Sequence, residues 1–203
     1  MYSYNPYYSK YLAHYGTPRH SGRYPYGSGK RPYQHGSVFV SGSVKTGFED
    51  SGYYRKNLSK DVRKELNTYM KKGKKINVGD APGIDSQVQD YLKRSKYDNV
   101  TVYTGYDTPR YIANKNWKVK KIDGAGYEPG TPEFNRQKDI AMTNDSESGL
   151  AVILENGGAG ATRNNIQRLL DQNKNVKVYE LRSDLSDSFI DVKDQFKVKV
   201  KNI

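Results

Sequence analysis

Three glycine-punctuated segments carry the residue types that hold an anion. They are Ser41-Gly42-Ser43, Gly79-Asp80-Ala81-Pro82-Gly83-Ile84-Asp85 and Asn156-Gly157-Gly158-Ala159-Gly160-Ala161-Thr162. A glycine-rich turn that opens a helix presents unpaired backbone N–H groups and the positive end of the helix dipole, and phosphate is a natural occupant. Glycine also lets a ligand approach the backbone closely. None of the three segments has the G-x-G-x-x-G dinucleotide fingerprint or the Gly-Lys-Ser/Thr of a P-loop. Each also has a plainer reading: tight turns, with Thr162 an N-cap and Asp85 a first-turn acid that complements the dipole.

Carboxylates stand beside these turns. Asp80, where a strand ends, and Asp139 are the acid–base candidates, and Asp85 is a third carboxylate in reach. Arg136 precedes Lys138 and Asp139, and its fork suits bidentate phosphate binding. The same Arg136-x-Lys138-Asp139 spacing also fits a solvated helix face, and Asp80 also fits a turn former. Arg110, with Tyr106, Tyr111, Asn114 and Trp117, is placed to cap the pocket and stack a base, though Trp117 equally fits the core. No His follows His35 and the chain has no Cys. Histidine-based proton transfer and thiolate chemistry in the domain are therefore excluded, and no metal-ligand spacing or cofactor requirement is visible.

The elements that must position these groups follow from hydrophobic periodicity. Five short β-branched runs begin at Val38, Ile76, Val100, Leu150 and Val176. Between them, Leu58, Val62, Leu66 and Tyr69 recur at helical spacing after the N-cap candidate Ser59, with Gly73 as a stop. Ile84, Val88 and Leu92 repeat the pattern. A third helix is expected over 132–144, and a fourth starts near Thr162. This alternation predicts a doubly wound α/β fold: a mainly parallel, Rossmann-like sheet of about five strands with helices on both faces. Ligands in such folds bind at the C-terminal edge of the strands, where the winding reverses. Residues 118–122 and 196–201 alternate Lys with apolar residues and read as edge strands.

Composition divides the chain in two. Its 203 residues carry a net charge of +12, of which +5 falls in residues 1–36, a stretch without a single acid. Those residues also hold nine of the 19 Tyr and all three His. With Leu12 as its one large aliphatic residue, this segment cannot bury enough surface to offset its conformational entropy. It is expected to be an irregular tail ahead of a domain over 37–203. No apolar stretch is long enough to cross a bilayer, and no secretory leader is visible.

In their order, Ser41-Gly42-Ser43, the Gly79–Asp85 segment, Arg136-Gln137-Lys138-Asp139-Ile140-Ala141-Met142 and Gly157-Gly158-Ala159-Gly160-Ala161-Thr162 resemble the SLOG superfamily over residues 37–181. That group joins DprA proteins, LOG-type nucleotide phosphoribohydrolases and YspA-like proteins. The resemblance implies a nucleotide or ADP-ribose-like ligand, with Gly42, Ser43, Gly79, Asp80 and Gly83 lining the pocket on one side and a phosphate loop of Gly157, Gly158 and Thr162 on the other, and a homo-oligomer. LOG enzymes carry a Gly-Gly-x-Gly-Thr-x-x-Glu pattern; here Ala161 stands at the Gly before Thr and Asn165 at the Glu. A neutral amide stabilises an oxocarbenium-like centre poorly, so ligand binding is favoured over N-glycosidic hydrolysis.

Within residues 8–35, the run from Tyr11 to Gly29 resembles a segment of structural and head-associated proteins of tailed bacteriophages of Gram-positive bacteria. It implies a phage protein of the host cytoplasm, docked through residues 1–36 on a virion protein. Interleaved Tyr and Arg also suit single-stranded nucleic acid. The alternative to a small-molecule binder is therefore a nucleic-acid or virion protein of DprA-like fold.

Overall fold

The computed structural model describes residues 36–155, 160–184 and 186–190. The tail, Gly157 and Gly158, and the strand expected over 196–201 lie outside these residues. The apolar runs form strands where the periodicity places them: β1 Ser37–Gly42, β2 Lys75–Gly79, β3 Val100–Thr104, β5 Ser148–Leu154 and β6 Asn175–Leu181. β4 is Lys118–Lys121 and β7 is Asp187–Ile190. The sheet thus has seven strands among the described residues, in the order β4-β3-β2-β1-β5-β6-β7. The two strands beyond the expected core of five are its short outer edges, where little burial is needed and hydrophobic pattern is weak. All pairings are parallel except β6 with β7.

Among the described residues four α-helices cover the sheet: α1 Lys60–Lys71, α2 Ile84–Arg94, α3 Pro132–Asn144 and α4 Ala161–Asp171. Local chemistry fixes their starts. The Ser59 hydroxyl accepts from Val62 N at 3.2 Å, and the Thr131 hydroxyl accepts from Phe134 N at 3.3 Å ahead of Pro132 at the first turn. Strand alternation then sorts the core. Val38, Val40, Ile76 and Val78 face α1 and α2, where Leu66, Val88 and Leu92 meet them. Phe39, Tyr103, Ala151 and Ile153 face the other way, onto Met142 of α3 and Ile166 and Leu169 of α4.

β1 lies at the centre. The chain winds outward through β2, β3 and β4, then returns to pair β5 on the other side of β1. The winding reverses between β1 and β5, so their C-terminal ends form the switch point at which doubly wound folds hold ligands. No helix among the described residues is long and apolar enough to cross a membrane.

Candidate functional site

A cleft of about 530 Å³ opens at this switch point between β1, α3 and α4. Gly42, Asp85, Arg110, Arg136, Asp139, Thr162 and Asn165 all line it, as do Ser41, Lys138 and Arg168. Residues separated by 126 positions in sequence therefore share one wall. A second cleft of about 440 Å³ adjoins it across the start of α4, sharing Gly42 and Thr162 and adding Ser43.

Asp80 lies beneath the main cleft and is wholly buried. Its Oδ2 accepts from the Thr104 hydroxyl at 2.7 Å and from Arg110 N at 3.1 Å. Its Oδ1 accepts from Arg110 Nη2 at 2.8 Å and Lys138 Nζ at 3.4 Å. A carboxylate offers about four lone-pair sites, and all are used. Burial alone would raise its pKa. Donation from Arg110, the charge of Lys138 and the Thr104 hydroxyl outweigh burial and hold it at about 2. At neutral pH Asp80 is thus an ionised clamp that aims two cations. Arg110 is also held over the Tyr106 ring at 5.1 Å, and Tyr106 in turn packs on Phe134.

Asp85 and Asp139 differ from it. Asp85 sits in the first turn of α2 and accepts only a long bond from Ala81 N, at 3.4 Å. Burial pushes its carboxyl up to about 6; Lys138 opposes the rise and Asp139 adds to it. Asp139 is partly exposed to the cleft, and its Oδ2 accepts from Asn165 Nδ2 at 3.1 Å. Burial raises its pKa as well, against the neighbouring Lys138 charge and the Asn165 bond. The same Asn165 nitrogen reaches the Ser41 hydroxyl at 3.3 Å, and Arg168 Nη2 donates to Asn165 Oδ1. The Nε of Arg168 is buried with no hydrogen-bond partner among the described residues.

The glycines divide by position. Gly79 is small because its neighbours crowd it: a Cβ there would collide with Asp85 Oδ2 and stand 2.7 Å from Lys138 Nζ. Gly83 lies away from the cleft. Its φ of +84° and the Ser43 carbonyl, 2.5 Å from any added Cβ, make it the residue on which the loop after β1 rests. Ser43 likewise caps the short 3-10 turn Val44–Gly47, its hydroxyl accepting from Lys45 N at 3.2 Å.

Several expectations need correction. Thr162 is not an N-cap: Gly160 caps α4 and, as a glycine, makes no side-chain cap bond, so Thr162 falls within the first turn. Trp117 is buried and donates to the Tyr97 carbonyl at 3.2 Å, so it is a core residue. Tyr111 bonds Asp90 rather than facing the cleft. Lys138, read with Arg136 as a solvated face, is only 5 % exposed. Sequence reasoning missed Arg168 entirely, and the signal was its position three residues after Asn165, one turn along the same face.

Fold and cleft together define a Rossmann-like α/β protein whose switch point gathers four cationic side chains, the carboxylates of Asp85, Asp139 and Glu133 with Asp80 beneath them, and a glycine-capped helix N-terminus. No protein-family model, no curated protein and no solved structure matches the chain.

Proposed function

We propose that the domain binds a nucleotide or nucleotide-derived ligand, of ADP-ribose-like chemistry, in the cleft at the β1–β5 switch point. One observation carries this reading. Arg110, Arg136, Lys138 and Arg168 meet there beside the N-terminus of α4, whose cap is the glycine Gly160. Such a set offers charge-assisted, forked donors and dipole together, which is what a phosphate takes. Carboxylates in the same wall favour a compact ligand over a nucleic-acid strand, whose backbone would meet them at every step. The reading agrees with the SLOG resemblance, including its bias toward binding, because Asn165 stands where LOG enzymes have Glu. The Tyr- and Arg-rich N-terminal segment is, in this reading, the part that docks the protein on a virion partner.

Isothermal titration of the full chain with AMP, ADP, GDP, NAD⁺, ADP-ribose and a single-stranded oligonucleotide tests it. Saturable binding of at least one small nucleotide, weakened roughly tenfold in Arg136→Ala, is expected. A folded sample that binds the oligonucleotide and no small nucleotide would overturn it.

A further inference from the structure

Asp85, Asp139 and Glu133 line this cleft and Asp80 lies beneath it; Glu133 is exposed to solvent, and the other three differ in how fully their lone pairs are used. Asp80 has four donors, two of them cationic. Asp85 and the Lys138 ammonium flank Gly79 from the same side, beyond ion-pair contact, and Asp85 takes a single long bond from Ala81 N. Asp139 has one hydrogen bond, from Asn165 to Oδ2, and among the described residues no donor reaches its Oδ1. Asp139 is half-buried and lines a ligand-sized cleft, so an acceptor short of protein donors there is a place for ligand donors.

The surroundings restrict what that donor is. A ligand ammonium at Asp139 would sit among Arg136, Lys138 and Arg168, which repel it. A neutral donor escapes that cost, and two adjacent hydroxyls match the two oxygens of a carboxylate. The cations around it need an anion in the same molecule. An anion that carries a vicinal diol is a sugar phosphate. We propose that Asp139 accepts hydrogen bonds from the ribose hydroxyls of the ligand and makes the site selective for ribonucleotides over deoxyribonucleotides. Asn165 is the positioning residue: its nitrogen fixes Asp139 Oδ2 while Ser41 and Arg168 fix the amide. The inference rests on the nucleotide reading above.

The test is titration of the full chain with ADP, 2′-deoxy-ADP, 3′-deoxy-ADP and pyrophosphate, repeated with ribose 5-phosphate against 2-deoxyribose 5-phosphate so that the base plays no part. The wild-type chain is expected to lose roughly 10- to 100-fold in affinity when a hydroxyl bound to this carboxylate is removed. Asp139→Asn should bring the ribo and deoxy ligands within about threefold of each other while still binding pyrophosphate, which also shows that the variant is folded. Equal wild-type affinity for ribo and deoxy ligands overturns the assignment of Asp139 and leaves the nucleotide reading standing, whatever the variant does. Binding of none of these probes overturns both.

Discussion

Asp85→Asn should stabilise the protein at neutral pH, although it alters a buried polar residue. Asp85 is 8 % exposed, and its carboxyl titrates at about 6, against an ordinary value of 3.8. The folded state therefore holds the proton more tightly than the unfolded chain. Stability contributed by the protonated form is complete below about 3.8 and is lost as pH rises through 6. At pH 8, the ionised carboxylate costs the fold about 3 kcal/mol, from a shift of about two units at 1.36 kcal/mol each. An amide of the same shape avoids that cost but weakens the contacts with Ala81 N and Lys138, so a net gain of about 1–3 kcal/mol is expected. In a domain of this size that is roughly 3–10 °C in melting temperature. Urea unfolding of wild type and variant at pH 8, 6.5 and 5 reads the difference directly. The gain should be largest at pH 8, fall to about half at pH 5, and vanish below 4. A variant that is destabilised equally at pH 8 and pH 5 would refute the reasoning, because the contacts of Asp85 would then outweigh the cost of burying its charge.

The isosteric change at Asp80 should act in the opposite sense. Asp80→Asn leaves Lys138 and Arg110 without their buried counter-charge and should cost about 3–5 kcal/mol in urea unfolding at pH 7. Because the Asp80 pKa is depressed to about 2, its contribution is present above 3.8 and lost as pH falls toward 2, so the variant's stability should vary less over that range. Gly83→Ala forces a side chain onto a φ of +84° against the Ser43 carbonyl and should lose about 1–3 kcal/mol by the same measurement. Arg136→Ala removes an exposed cation from the cleft rim and should weaken pyrophosphate binding roughly tenfold while leaving the melting temperature within a degree or two.

What was legible in the sequence was whatever local chemistry determines. Ser59 announces a helix start because a hydroxyl one residue before the first turn has a free N–H to bind, and α3 covers the expected 132–144. The glycine-rich segments sit at strand ends because the chain must turn there. The functions of individual residues were less legible, because they depend on what lies across the cleft. Lys138 and Arg136 are two residues apart on one helix, yet one is buried against Asp80 and the other faces solvent. Nothing in the string of residues says that Asp80 is the partner 58 positions earlier. Gly83 looked like a ligand contact because its segment resembles a phosphate loop. The fold uses it to support the loop after β1. β7 escaped notice because a four-residue edge strand that reads Asp-Ser-Phe-Ile buries too little to show a period.

The charge count of the cleft leads to a last prediction. With every group ionised, Arg110, Arg136, Lys138 and Arg168 face Asp80, Asp85, Asp139 and Glu133, and the cleft holds an anion only by the arrangement of its charges. Protonating Asp85 adds one net positive charge within a few ångströms of Lys138, from which the carboxylate otherwise competes with the ligand. The groups that face Asp85 are Asp80 and the Ala81 N–H from the end of β2, and Lys138 and Asp139 from α3. Asp80 stays ionised throughout, so the titration belongs to Asp85, with Asp139 coupled to it. Anion affinity should therefore fall as pH rises through about 6, with uptake of up to one proton on binding. Phosphates obscure this because they gain charge over the same range. Sulfate stays dianionic and is the better probe. Its affinity, measured by titration at pH 5 and pH 8 at constant ionic strength, should drop roughly tenfold in the wild type, by the loss of one neighbouring positive charge. In Asp85→Asn it should remain at the wild-type pH 5 level at both pH values. A pH dependence that persists unchanged in the variant would assign the titration to Asp139 instead, and sulfate binding that is flat in the wild type would show that Asp85 does not compete for Lys138.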